Sequence, residues 1–187
     1  MNLAILIKQY FPSYGDNITI DVFDGDYPIS GNATVIVDGD TEHPIEVTID
    51  ETGHVVVPID AAPGAHTVEV TFAKENYENV TKVATVTVPK VTPIVYVNGT
   101  EVEYGTPATI NITVTDEEGN PINGTVIVVA SWEVDGETQV VELVDGKGKA
   151  TFVLAGLGQG AYADINATYV ENDNYTTAYN DTEIIKI

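Results

Sequence analysis

The stretch Asp116-Glu117-Glu118-Gly119-Asn120-Pro121-Ile122-Asn123-Gly124-Thr125 decides how this chain is read. An alternating run, Ile110, Ile112 and Val114, precedes it, and the apolar residues Val126-Ile127-Val128 follow it. An acidic turn with Gly and Pro between two such runs predicts a hairpin joining two strands. A looser copy stands earlier, Asp24-Gly25-Asp26-Tyr27-Pro28-Ile29-Ser30-Gly31. Each copy leads into Thr-Val-Ile-Val, at Thr34 to Val37 and at Thr125 to Val128. The chain therefore reads as two variants of one β unit, and the second can be used to interpret the first.

Outward from that turn the copies stay in step. Ile18, Ile20 and Val22 alternate with Thr19 and Asp21, as Ile110, Ile112 and Val114 alternate with Asn111 and Thr113. A period of two marks a strand with one buried and one wet face. Tyr14-Gly15 recurs as Tyr104-Gly105, Gly64-Ala65-His66 as Gly160-Ala161-Tyr162, and Asn76-Tyr77 as Asn174-Tyr175. Asp38-Gly39, Asp135-Gly136 and Asp145-Gly146 are turn signals between apolar runs. No segment shows a helical apolar period. The predicted fold class is all-β: two tandem immunoglobulin-like β-sandwich domains of about seven short strands each. The boundaries fall at residues 1–89 and 94–187. Between them 90–93 forms a short proline-containing linker, expected to be extended. Gly160-x-Tyr162 is expected to form a tyrosine corner, with His66 in its place in the first unit.

The composition excludes several function classes. Seven basic residues, all Lys, stand against 29 acidic ones, for a net charge of −22. Such a chain repels nucleic-acid phosphates and anionic membranes. With 43% hydrophobic residues it is no disordered acidic tail. There is no Cys, hence no disulfide and no thiolate chemistry. No stretch approaches the ~20 apolar residues of a membrane span. Leu3 to Ile7 is shorter than the apolar part of a signal peptide. The chain is expected to be a segment of a longer one.

The second unit resembles the immunoglobulin-like repeats, of the bacterial Ig-like group, in the large adhesin-like surface proteins of methanogenic archaea. The residues that carry the resemblance are Tyr104-Gly105, Ile110 to Thr115, Asp116-x-x-Gly119-Asn120-Pro121-x-x-Gly124-Thr125-Val126, Gly156 to Tyr162, Ala167-Thr168-Tyr169 and Asn172-x-Asn174-Tyr175. The first unit keeps Tyr14-Gly15, Pro28-x-x-Gly31 and Glu75-Asn76-Tyr77. The resemblance implies a non-enzymatic stalk or adhesive segment, extracellular and displayed at the cell surface. Its implied partner is a glycan or protein of another cell, met by a monomer within a longer repeat array. No catalytic residue carries over.

The residues themselves offer few sites. His43, His54 and His66 lack ligand spacing to one another, and Ser13, Ser30 and Ser131 lack a nucleophile-elbow context, so no enzyme is expected. Calcium is the one candidate cofactor. Asp24 and Asp26, and Asp116, Glu118 and Asn120, are hard-oxygen clusters, as are Asp38/Asp40 and Glu171 to Asn174. The alternative is that turns simply favour Asp, Asn and Gly. Trp132, the single Trp, is either a core residue or a platform for a sugar ring. The second role defines the rival function, a carbohydrate-binding module accessory to a secreted enzyme. Lys8 is a remote candidate for an isopeptide cross-link, although its counterpart in the second unit is Asn98.

Asn-x-Thr sequons begin at Asn17, Asn32, Asn79, Asn98, Asn111, Asn123, Asn166, Asn174 and Asn180, nine of 13 Asn residues. Chance placement gives about two. They are candidate glycosylation sites. The competing reading is that Asn and Thr two apart share one strand face and both suit an outer face.

Overall fold

The structure is a computed structural model that describes residues 3–10, 17–103, 105–132, 135–154 and 156–186. Tyr14-Gly15 and Tyr104 lie outside the described residues. The chain divides into two compact units, Met1–Pro89 and Lys90–Ile187. Among the described residues neither unit contains helix.

The first unit runs through β1 (Leu3–Tyr10), β2 (Asn17–Asp24), β3 (Tyr27–Pro28), β4 (Gly31–Val37), β5 (Ile45–Ile49), β6 (His54–Pro58), β7 (Gly64–Ala73) and β8 (Val80–Val88). One sheet gathers β1, β3 and β6 on β2, and the other has the order β5-β4-β7-β8. The second unit runs through β9 (Ile94–Val97), β10 (Thr100–Val102), β11 (Ala108–Thr115), β12 (Thr125–Trp132), β13 (Asp135–Glu142), β14 (Lys147–Phe152), β15 (Tyr162–Tyr169) and β16 (Ala178–Lys186). Its sheets have the orders β14-β11-β9 and β10-β16-β15-β12-β13. Among the described strands the pairings are antiparallel except β10 with β16, which run parallel. The fold is all-β, as the alternation predicts.

The alternation accounts for the two cores. On β11, Ala108, Ile110, Ile112 and Val114 are fully buried while Thr109 and Asn111 face out. They pack against Val126, Val128, Ala130, Ile165 and Tyr169 from the facing sheet. In the first unit Ile18, Ile20 and Val22 meet Val35, Val68, Val70 and Phe72. Each such side chain contributes about 1.5–3 kcal/mol on burial.

Three expectations are corrected. The Asp116–Thr125 stretch is no hairpin between its flanking strands, because β11 and β12 lie in different sheets. A local turn closes at the Thr115–Pro121 bridge. The Val114 carbonyl then accepts from the Ile122 N–H at 3.0 Å, and buried Ile122 leads the chain across to the other sheet. The second correction concerns residues 90–93. Val91 bridges Tyr175, its N–H donates to the Asn174 carbonyl, and its carbonyl accepts from Thr176 N–H. Lys90 also pairs with Glu171 at 2.6 Å. The segment is part of the second unit because backbone groups beside a strand find partners there.

The third correction moves the tyrosine. Tyr162 is 57% exposed and makes no corner. The fully buried Tyr169 plays that part, its hydroxyl donating to the Asn123 carbonyl at 2.9 Å and accepting from Asn172 Nδ2 at 2.8 Å. Its ring meets Tyr175 edge-on at 6.1 Å. Lys8, the isopeptide candidate, lies on an outer face with its ammonium 3.2 Å from Asp21.

Candidate functional site

The crossover loop is tightly constrained in each unit. The Val22 N–H donates to the Gly53 carbonyl and the Val114 N–H to the Gly146 carbonyl, both at 2.8 Å. Gly53 and Gly146 both have positive φ, 71° and 69°. A Cβ on Gly53 would sit 2.7 Å from the Val22 carbonyl and 2.8 Å from Pro28, and on Gly146 2.6 Å from the Val114 carbonyl and 2.9 Å from Pro121. Pro28 and Pro121 are thus the same residue of the repeat, each wedged over a glycine that has no side chain. Gly31 and Gly124 are likewise equivalent, lying against the rings of Phe72 and Tyr169. Only the second unit has a ring hydroxyl there to hold the loop.

The calcium candidates lie in these loops without forming a cage. Asp116 spends its carboxylate on its own turn: Oδ1 accepts from the N–H groups of Glu118 and Asn120, and Oδ2 accepts from Asn120 Nδ2. The Asn120 hydrogen bond is the main reason its carboxyl titrates below the usual range. Asp24 and Asp26 flank the β2–β3 turn in the first unit, whereas Asp116, Glu118 and Asn120 belong to the second. Each cluster is confined to one loop. Among the described residues no group of three or more His, Asp or Glu side chains is arranged to hold a metal ion.

The three histidines each meet an aspartate, all in the first unit. His43 Nδ1 lies 2.9 Å from Asp40, His54 Nδ1 2.5 Å from Asp21, and His66 Nδ1 2.7 Å from Asp38. His66 also faces the Ala62 carbonyl through Nε2 at 2.6 Å. Acceptors at both ring nitrogens favour the imidazolium, and the Asp38 hydrogen bond raises the His66 pKa above 6.5. Asp38 is lowered in turn, first by His66 and then by the Thr67 N–H. Burial pulls Asp21 up, but hydrogen bonds from His54 and Lys8 outweigh it and leave it below 3.8. Sequence reading treated the three His as unrelated; no local spacing reveals partners 28 or 33 residues away.

Trp132 sits at the end of β12 with 8% of its surface exposed and its ring in the core. Its indole Nε1 is buried and has no hydrogen-bond partner among the described residues. Beside it lies an open depression of ≈ 470 Å³ bordered by Ser131, Tyr162 and Asp164. Trp132 contributes to its lining, but the more exposed ring there is that of Tyr162. A second depression, ≈ 650 Å³, is lined by Glu101, Asp164, Asp181 and Glu183 on the five-stranded sheet. The register sets Asp164 directly opposite Glu183, so two carboxylates share one spot of the outer face. The sequence shows those acids but not their pairing.

No protein-family model matches the sequence, and no curated protein matches it. Among solved structures the chain is similar to a two fibronectin type-III domain segment from chicken tenascin. The two are 10% identical with a TM-score of 0.53, and 96% of this chain covers 97% of that one. It is also similar to a tetra-tandem repeat in the extending region of a large adhesion protein, 17% identical with a TM-score of 0.51 over 97% of this chain. The chain spans 48% of the length of that repeat array. At such identities the likeness shows the fold, a tandem of fibronectin type III or Ig-like sandwiches.

Proposed function

We propose that the chain is a non-enzymatic structural segment, a stalk or spacer with an adhesive context, of a large extracellular cell-surface protein. The observation that carries the reading is the repeat itself. Two units each close their own core and rebuild one crossover loop from Pro28, Gly31 and Gly53 or from Pro121, Gly124 and Gly146. Repeated self-sufficient sandwiches suit a part whose task is to extend a chain. The acidic surface suits solubility in that role. Similarity of fold to the extending-region repeats supports the reading, as does the resemblance to archaeal adhesin-like repeats at Asn120-Pro121 and Asn174-Tyr175. The partner, a glycan or protein of another cell, and the monomeric state within an array belong to the same proposal.

Antibodies raised against the chain should label intact cells of the source organism, and protease treatment of those cells should remove the label. Labelling only after lysis would overturn the reading. The rival carbohydrate-binding role rests on the depression beside Trp132 and Tyr162. Trp132 fluorescence that responds to oligosaccharides at about millimolar levels, with the response lost in Tyr162→Ala, would replace the spacer by a binding module.

A further inference from the structure

The nine sequons are chemically unequal once folded. N-glycosylation joins the Asn Nδ2 to the anomeric carbon of an oligosaccharide. The donor is a polyprenyl-diphosphate-linked oligosaccharide: its anomeric C–O bond breaks, the lipid diphosphate leaves, and Nδ2 gives up one proton as the N–C bond forms. A transferase needs an exposed Asn whose side-chain amide makes no hydrogen bond of its own and that lies in a loop with room around it rather than in a paired strand.

The fold denies this to most of them. Asn180 donates its Nδ2 to the Val95 carbonyl at 2.7 Å, tying β16 to β9. Asn17 is half-buried, and Thr19, the hydroxyl of its sequon, is 8% exposed. Asn32, Asn111 and Asn166 are exposed but lie on β4, β11 and β15, each of which is paired on both sides. Asn123 is exposed in a loop, but its side-chain Oδ1 accepts the Gly146 N–H at 3.0 Å, so its amide is held by the β13–β14 turn. Asn98 precedes Gly99, which lies so close to β16 that a Cβ would stand 2.6 Å from the Glu183 carbonyl.

Asn79 and Asn174 remain. Both are exposed, and each lies in the loop between the last two strands of its unit, β7–β8 and β15–β16. Among the described residues neither side-chain amide makes a hydrogen bond, although Asn174 takes part through its backbone, Thr176 Oγ1 donates to Thr92 Oγ1, and Thr81 Oγ1 lies 2.9 Å from Thr71 Oγ1. The two repeats therefore offer an acceptor at the same place by different residues, since Asn79 follows Asn76-Tyr77 whereas Asn174 belongs to the matching Asn-Tyr pair. We propose that Asn79 and Asn174 are the N-glycan acceptors of the folded protein, one per unit, and that the other seven sequons are structural.

The proposal deepens the surface reading, yet its test does not depend on it. The folded full chain and a urea-unfolded sample are incubated with a single-subunit oligosaccharyltransferase and a polyprenyl-diphosphate oligosaccharide, then compared by intact mass and peptide mapping. The folded chain should gain two glycans, Asn79→Gln and Asn174→Gln should each remove one, and Asn79→Gln/Asn174→Gln should remove both. Thr81→Ala and Thr176→Ala should act as their partner Asn variants do, while Thr81→Ser and Thr176→Ser retain the modification. The unfolded chain should accept more than two. A glycan on any of the other seven sequons of the folded chain would overturn the proposal. So would a folded chain left bare while the unfolded chain is modified at Asn79 and Asn174, or no transfer to either. Intracellular location of the native protein would sink the surface reading while leaving the acceptor result standing.

Discussion

His66 ties the Asp38 turn to the Ala62 carbonyl, and its charge decides how well. Its folded-state pKa lies above the unfolded value near 6.5. Protonation thus favours the folded form. The stabilisation is fully present below the unfolded pKa and is lost as pH rises through the raised folded value. The Asp38 carboxylate works in the opposite window: lowered from 3.8, it contributes above that value and loses its contribution as pH falls through the folded one. We expect the melting midpoint of the first unit to fall as pH rises from about 6.5 through the raised His66 value, and the slope to flatten in His66→Gln. An unchanged slope in that variant would assign the pH dependence elsewhere. At the equivalent scale in the second unit, Tyr169→Phe removes the hydroxyl between Asn123 and Asn172. The expected loss is about 1–3 kcal/mol in urea denaturation, since two hydrogen bonds go and both the Asn123 carbonyl and the Asn172 amide lose this partner.

Turns and sheet faces set the next scale. Gly119 and Gly146 both have positive φ, yet a Cβ on Gly119 meets nothing within 4 Å, whereas on Gly146 it runs into the Val114 carbonyl and Pro121. Gly119→Ala should cost roughly 1–2 kcal/mol for the backbone conformation alone. Gly146→Ala should cost about 1–3 kcal/mol more, because two backbone segments must part. Equal losses by denaturant titration would mean that the loop yields freely. On the outer face of β15 and β16, Asp164 and Glu183 stand opposite each other. Like charges so placed oppose pairing, and Asp164→Asn should stabilise the second unit by roughly 0.2–1 kcal/mol at low salt, with the gain fading as salt is added.

For the whole molecule the governing quantity is a net charge of −22. Self-repulsion opposes the compact state and is screened over ~8 Å at physiological salt. Both units should therefore melt higher in moderate NaCl than in dilute buffer. Calcium at matched ionic strength separates screening from binding. Asp116 already fills its oxygens within its own turn, so equal midpoints in the two salts are expected for the second unit. A calcium-specific rise there would show that the ion opens that turn and takes its ligands.

The alternation of Ile110, Ile112 and Val114 was enough to assign strands, burial and an all-β fold, because a period of two leaves a strand one apolar face. The repeat of Pro-Ile-x-Gly was enough to mark two units. Register was less legible. Thr34 to Val37 looks equivalent to Thr125 to Val128, yet the pairings Ala33–Phe72 and Val126–Tyr169 align Ala33 with Val126. The slip is two residues, which keeps the same residues facing inward and shifts only the alignment of the two copies. Which tyrosine is buried, where Asp116–Thr125 leads, and which sequons are free all depend on neighbours distant in sequence. A hydrogen bond such as Asn180 to Val95 or His66 to Asp38 leaves no local trace, because it joins groups that only the folded sheets bring within reach. The tertiary structure alone decided those.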